Sequence, residues 1–237
     1  MASYWAVEIL GEAVDLDQIT RALNPGFDPW IERKSPHADY AIRSSEFNTL
    51  QTALEVRDRA AILINILNGA VALTSGVEHV RGGKVLQVSD EGEVNVEVFG
   101  EVHGRLRGTI LTASATVTTP DGTAKPPRPP SPTEAQRYIQ SAIRNDDVAD
   151  LLTFVGRADN WFDLYKAIEM AEKLAGGEQK LQALLKGGAA DFKNARTTAN
   201  WHRHARAHKP RRPATFDEAC SLVRHAVLAA LVKFGGI

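Results

Sequence analysis

The spacing of hydrophobic and polar residues changes period along the chain, and each change marks an element. Residues 4–10 (YWAVEIL) are rich in β-branched and aromatic side chains and predict a strand. Residues 15–23 carry apolar positions at helical spacing and stop at Asn24-Pro25-Gly26, and residues 40–42 predict a second strand. From 47 to 73 the spacing predicts one long helix, apolar on nearly every side from Ala60 onward, as a helix buried against a sheet would be. Asn65, Asn68 and Gly69 interrupt that apolar run, which falls short of the roughly 18–20 residues a membrane span needs.

After residue 84 the period becomes two. Val85, Gln87 and Val88, then Val94, Val96 and Val98, alternate with polar residues around the turn Asp90-Glu91-Gly92. Residues 105–117 continue the meander, with Gly100, Gly104 and Gly108 as turn or bulge points. Arg81-Gly82-Gly83-Lys84 reads as a turn, because it lacks the spacing of a phosphate-binding loop. These patterns predict an α+β module over 1–118, with an antiparallel sheet and one long buried helix.

The stretch that follows, TTPDGTAKPPRPPSP, is too rich in proline and too poor in apolar side chains to pack, and predicts a semi-rigid linker over 119–132. Beyond it every segment has a helical pattern, predicting an all-helical domain over 133–237. Ser131-Pro132-Thr133 starts a helix with Pro132 in the first turn, and Asp146, Asp147 and Asp150 suit another first turn. Asp159 is expected to cap a helix over 161–174, ended by Gly176-Gly177, with Trp161, Phe162 and Tyr165 in the core; Gly187-Gly188 is a further stop. The last helix has the clearest pattern: Thr215 and Glu218 form a capping box, and Phe216, Ala219, Cys220, Val223, Ala226, Val227, Ala230, Leu231 and Phe234 make one stripe.

Charge narrows the function classes. With Lys+Arg 28 against Asp+Glu 29, the whole molecule has no general attraction for polyanions, so any nucleic-acid affinity must be local. The single cysteine, Cys220, cannot form an internal disulfide and lies in an apolar stripe. Residues 1–10 show neither a basic leader nor an apolar run, so the expectation is a cytoplasmic protein without membrane attachment.

Local charge is found between Phe192 and Phe216. That segment holds Lys193, Arg196, Arg203, Arg206, Lys209, Arg211 and Arg212 with His202, His204 and His208, and no acidic residue. Cations packed this closely repel one another unless an anion compensates, so RNA or another anionic ligand is the expected partner. Lys193, Arg206, Lys209, Arg211 and Arg212 are candidates to neutralise backbone phosphates, and Trp201 to stack on a base. In helical register Arg196, Arg203 and Ala207 or Arg206 share a face, while His204 and His208 lie at i and i+4. That His spacing also suits a metal, but no carboxylate lies near in sequence to complete a set, and no metal or other cofactor is expected. Glu169, one turn from Tyr165, can reach the cluster as an orienting carboxylate.

Cleaving RNA without metal needs a group titrating near neutral pH and a fixed cation to stabilise the phosphorane, which one histidine and one arginine can supply. Two registers fit: Arg203-His204 with His208 (RHARAH), and Arg196-Thr197 with His202 (RTTANWH), His204 being a supporting donor. An arginine, a polar residue, and a histidine four to six residues after the arginine, set in an all-helical domain, resemble the HEPN superfamily of helical nucleases. That resemblance implies a homodimer whose two motifs share one cleft, and roles in bacterial antiviral defence or toxin systems. The segments WFDLYKAIE, FKNARTTAN, Arg203-His204-Ala205 and PATFDEA are similar to those of an uncharacterised bacterial family, which implies no function. Other readings stand beside the nuclease: a non-catalytic nucleic-acid-binding or protein-interaction subunit, or a structural role in which the cations pair with acidic residues of the first half or of a partner protein.

Overall fold

The computed structural model describes residues 3–35, 37–77, 79–99, 131–204 and 210–236. The expected meander over 105–117, its glycines, and all but the last two residues of the Pro-rich stretch lie outside the described residues.

Among the described residues a five-stranded antiparallel sheet and a set of helices make the mixed α+β fold expected from the pattern. β1 (Tyr4–Leu10) lies between β3 (Ala38–Arg43) and β4 (Arg81–Val88), and the order of the described strands runs from β2 (Trp30–Ser35) to β5 (Val94–Glu97). Every pairing is antiparallel, for example Val7 opposite Ile42 and Val85, and Ile31 opposite Ile42. Alternation along β1 sends Trp5, Val7 and Ile9 into the main core, while Ala6 joins Ala41 and Leu86 on the other face.

Several boundaries differ from the sequence expectation, each for a local reason. Arg81-Gly82-Gly83-Lys84 is not a turn but the first half of β4. There the glycines leave room for neighbouring side chains: a Cβ on Gly83 would sit 2.4 Å from Glu8 Oε2, and the Lys84 amide donates to that oxygen at 3.2 Å. The long helix divides. A 3₁₀ turn (Ser45–Thr49) precedes α2 (Ala53–Thr74), because Thr52 and Glu55 form a reciprocal capping box that fixes the true start. β2 is added to the expected strands. α1 (Ala13–Ala22) forms close to where the pattern placed it.

In the second half, α3 (Glu134–Arg144) starts after Pro132, with Thr133 as its cap and Gln136 completing a capping box, so the proline precedes the helix instead of sitting in its first turn. α4 (Asp146–Gly156) follows directly. α5 (Trp161–Ala175) is capped by Asn160 and not by Asp159; the Asn160 side-chain oxygen accepts from the amides of Phe162 and Asp163 at 2.9 and 3.0 Å. α6 (Glu178–Leu184), α7 (Ala189–His204) and α8 (Phe216–Phe234) complete the described chain, and α8 has the capping box and buried stripe that its sequence spells out. No helix among the described residues is long and apolar enough to cross a membrane.

One continuous apolar core joins the sheet-side face of α2 to the helices of the second half, with Leu63 and Leu67 in the same cluster as Leu152, Ile168 and Val227. Two polar features tighten it. Asn68, buried in α2, exchanges hydrogen bonds of 2.9 and 3.0 Å with the backbone of Val80. Gln136, fully buried, accepts from the Asn24 and Thr133 amides at 3.0 and 3.1 Å and donates to the carbonyls of Asn24, Phe27 and Pro29 at 2.9, 3.0 and 3.1 Å. One side-chain amide thus reaches the Asn24 amide and the carbonyls of Asn24, Phe27 and Pro29 in the 24–29 loop. Gln136→Leu keeps the volume but leaves buried backbone groups unpaired, each costing about 1–3 kcal/mol. The expected net loss is about 3 kcal/mol in urea denaturation; a loss below about 1 kcal/mol would show that the loop pairs its backbone another way.

Candidate functional site

The basic segment is organised by α7 packing on α5. Phe192, Ala195, Thr198 and Ala199 are the buried stripe of α7. Thr198 also donates to the Asn194 carbonyl at 2.9 Å and accepts from the Ala214 amide at 3.2 Å, which ties the chain just before α8 to the middle of α7. Beside this stripe Arg196 and Arg203, seven residues apart and so on one helical face, both point toward α5.

Their partners there differ in charge. Arg196 grips Glu172 with Nε to Oε1 at 2.6 Å and Nη2 to Oε2 at 3.3 Å, and approaches Glu178 at 3.5 Å. Two carboxylates on one guanidinium leave that cluster with a formal net negative charge. Arg203 donates from Nη1 to Glu169 Oε1 at 2.8 Å, while Lys166 holds the other carboxylate oxygen at 2.7 Å. Two cations on one carboxylate leave a net positive charge. The Tyr165 ring backs both arginines, with guanidinium carbons 4.6 Å from its centroid for Arg203 and 6.0 Å for Arg196.

Burial alone would push the Glu169 carboxyl up, but hydrogen bonds from Lys166 and Arg203, with their charges, outweigh it and hold the group below the usual carboxylate range. The hydrogen bond to Glu172 leads the effects that push Arg196 further up. A carboxyl with a folded pKa below its unfolded value stabilises the fold above the unfolded value, and that contribution is lost as pH falls through the folded one. Glu169→Gln should therefore cost up to about 1 kcal/mol near pH 7, after allowance for solvent screening. The difference from the parent should close in strong acid, below both the folded and the unfolded value, where the carboxyl is protonated in both states. Equal differences at both pH values, read by chemical denaturation, would contradict the ion-pair assignment.

Aromatic rings lie beside these pairs. His202 stacks on Trp161 with centroids 4.5 Å apart and planes 6° from parallel; Trp201 meets His202 edge-on at 4.5 Å, and Phe216 meets Trp161 edge-on at 5.1 Å. Tyr165 is in the core as expected. Phe162 is not: it is 51% exposed.

Among the sequence candidates, Lys193, His202, His204, Arg211 and Arg212 are exposed, Trp201 is partly buried, and Arg196 and Arg203 are partly buried in ion pairs. Arg206, His208 and Lys209 lie outside the described residues, so the structure brings Arg203 together with Glu169 and Lys166 but does not place His208. Arg196 and His202, six positions apart, stand on different faces of α7. Among the described residues no group of three His, Cys, Asp or Glu side chains could hold a metal ion. Glu169 does reach the cluster; Lys166, Glu172, Glu178 and the Trp161–His202 stack were not singled out from sequence. A signal for the acids existed in Tyr165, Glu169 and Glu172, which lie at i, i+4 and i+7 along one face of α5.

No family model matches the chain, nor does any curated protein or solved structure.

Proposed function

We propose that the protein is a metal-independent RNA endonuclease of the HEPN-like type acting at the C-terminal end of α7, with Arg203 as the phosphate-stabilising cation and His208 as the proton-transfer group. The observation that carries this reading is the net-positive Lys166–Glu169–Arg203 cluster. Glu169 and Tyr165 fix the guanidinium in position without cancelling the local charge, and solvent-exposed imidazoles flank it at His202 and His204. A cation held in advance stabilises developing phosphorane charge without reorganising during the reaction. His208 would take the proton of a ribose 2′-hydroxyl as its oxygen attacks phosphorus and the bond to the 5′-oxygen breaks, that oxygen taking a proton from His204 or water, giving a 2′,3′-cyclic phosphate and a free 5′-hydroxyl. His204 supports as a donor. Lys193, Arg211 and Arg212 would neutralise neighbouring phosphates, and a second copy would bring the same motif to a shared cleft.

The same geometry ranks the two registers. Among the described residues Arg196 is held by two carboxylates and has no net charge to offer a phosphate, whereas Arg203 shares the Glu169 carboxylate with Lys166. A second reading, a non-catalytic RNA-binding subunit, is favoured by the Trp161–His202 stack, which engages one imidazole in packing.

A labelled single strand, made as RNA and as DNA of the same sequence and incubated in EDTA, tests the proposal. RNA should be cut to cyclic-phosphate ends and DNA, which lacks the attacking hydroxyl, should stay intact. Cleavage of both strands would refute the mechanism. Intact RNA whose binding weakens steeply with salt would establish the second reading instead.

A further inference from the structure

Where the C-terminal ends of α2 and α4 meet α5 and α8, the helices leave a cavity of about 210 Å³. Its walls are largely aliphatic, formed by Leu73 of α2, Val155 of α4 and Ala158 just after it, Leu164 and Ala167 of α5, and Val223 of α8, with His79 also lining it. Such a space accepts an aromatic ring with a short substituent, since an apolar cavity of roughly 150 Å³ already takes up benzene. The cavity lies at the junction between the two halves of the chain.

One cation is fixed against it. Arg224, on the next position of α8, also lines the cavity, and its Nη2 donates to the Leu73 carbonyl at 2.6 Å. Arg224 is an exposed residue of α8, and that bond caps a last-turn carbonyl of α2 and orients the guanidinium beside the cavity. The Cys220 thiol on the same wall is pushed up to about 11 by burial and, less strongly, by the Asp217 carboxylate, so the thiol itself stays neutral at neutral pH. An aliphatic chamber with one anchored guanidinium suits a ligand with an apolar body and a single carboxylate: the body leaves water for the walls, and the carboxylate pairs with the guanidinium.

We propose that this cavity is a binding site for a small monocarboxylate with an aromatic or branched aliphatic body of about ten non-hydrogen atoms. The site is independent of the α7 reading and stands or falls separately from it.

Titration calorimetry of the full chain with phenylacetate and with its neutral amide, phenylacetamide, tests it. Phenylacetate should bind with a dissociation constant of about 0.1–1 mM, and the amide at least about tenfold more weakly. Arg224→Gln should bring phenylacetate down to the level of the amide, while Arg224→Lys keeps part of the preference for the carboxylate. Ala167→Leu fills the chamber from α5 and should abolish binding of both probes. Because Ala167 is in the core, Ala158→Leu at a partly exposed position fills the same space as a second variant, with circular dichroism and melting confirming the fold of each. Binding of neither probe, equal binding of both, or undiminished phenylacetate binding in the folded filled variants would overturn the proposal.

Discussion

Gly69→Ala is expected to destabilise the protein by more than about 4 kcal/mol, or to prevent folding altogether. The added methyl would stand 2.0 Å from the Leu152 carbonyl oxygen and 2.6 Å from its carbon. Both are backbone atoms of α4, so no side chain can rotate away and the helices themselves would have to part. The contact is reciprocal: a Cβ on Gly156 of α4 would meet the Gly69 amide nitrogen at 2.7 Å and the Asn65 carbonyl at 2.8 Å. Separating α2 from α4 loosens the core that joins the two halves, so the loss exceeds that of ordinary overpacking, about 1–3 kcal/mol. In thermal melts Gly69→Ala should fall by about 10 °C or more, by the usual scaling for a chain of this size. Gly26→Ala is the control: its added methyl meets only the Asn24 side chain, at 3.7 Å, and should shift stability by no more than about 0.5 kcal/mol. Similar melts for the two variants would show that α2 and α4 do not pack this closely.

The second large effect is on activity. Arg203→Ala should lower RNA cleavage by about 10²–10³-fold, the range seen when one pre-positioned donor is removed from a developing oxyanion. Arg196→Ala should leave the rate of the folded enzyme within about threefold and instead cost about 1–2 kcal/mol of stability, because its hydrogen bonds go to Glu172. Single-turnover rates corrected for the folded fraction separate the two. A larger rate loss for Arg196→Ala than for Arg203→Ala would move the reaction to the other register.

These contrasts show which parts of the molecule could be read along the chain. α8 was legible because cap, stripe and polar face all agree on one helix, and the alternation of Val85–Val88 with Val94–Val96 carried β4 and β5 for the same reason. β2 was not, since Ile31 is its only buried apolar residue and charged neighbours hide the period. Gly69 read as an interruption of an apolar helix. Its reason is a carbonyl on α4, remote in sequence, and no local pattern encodes that approach. The site divides in the same way. The shared face of Arg196 and Arg203 follows from helical spacing alone, and Glu169 was within reach from its position beside Tyr165. That Arg196 meets two acids while Arg203 shares one with Lys166 depends on how α7 packs on α5 and α6, which only the packed structure supplies.

The most direct test compares three proteins on one labelled RNA in the presence of EDTA: the parent, His208→Ala and His202→Ala. The parent should cut, His208→Ala should lose about 10²–10⁴-fold in rate, and His202→Ala, whose imidazole is stacked on Trp161, should stay close to the parent. Equal cleavage by all three, or none by the parent, would contradict a metal-independent nuclease at the end of α7.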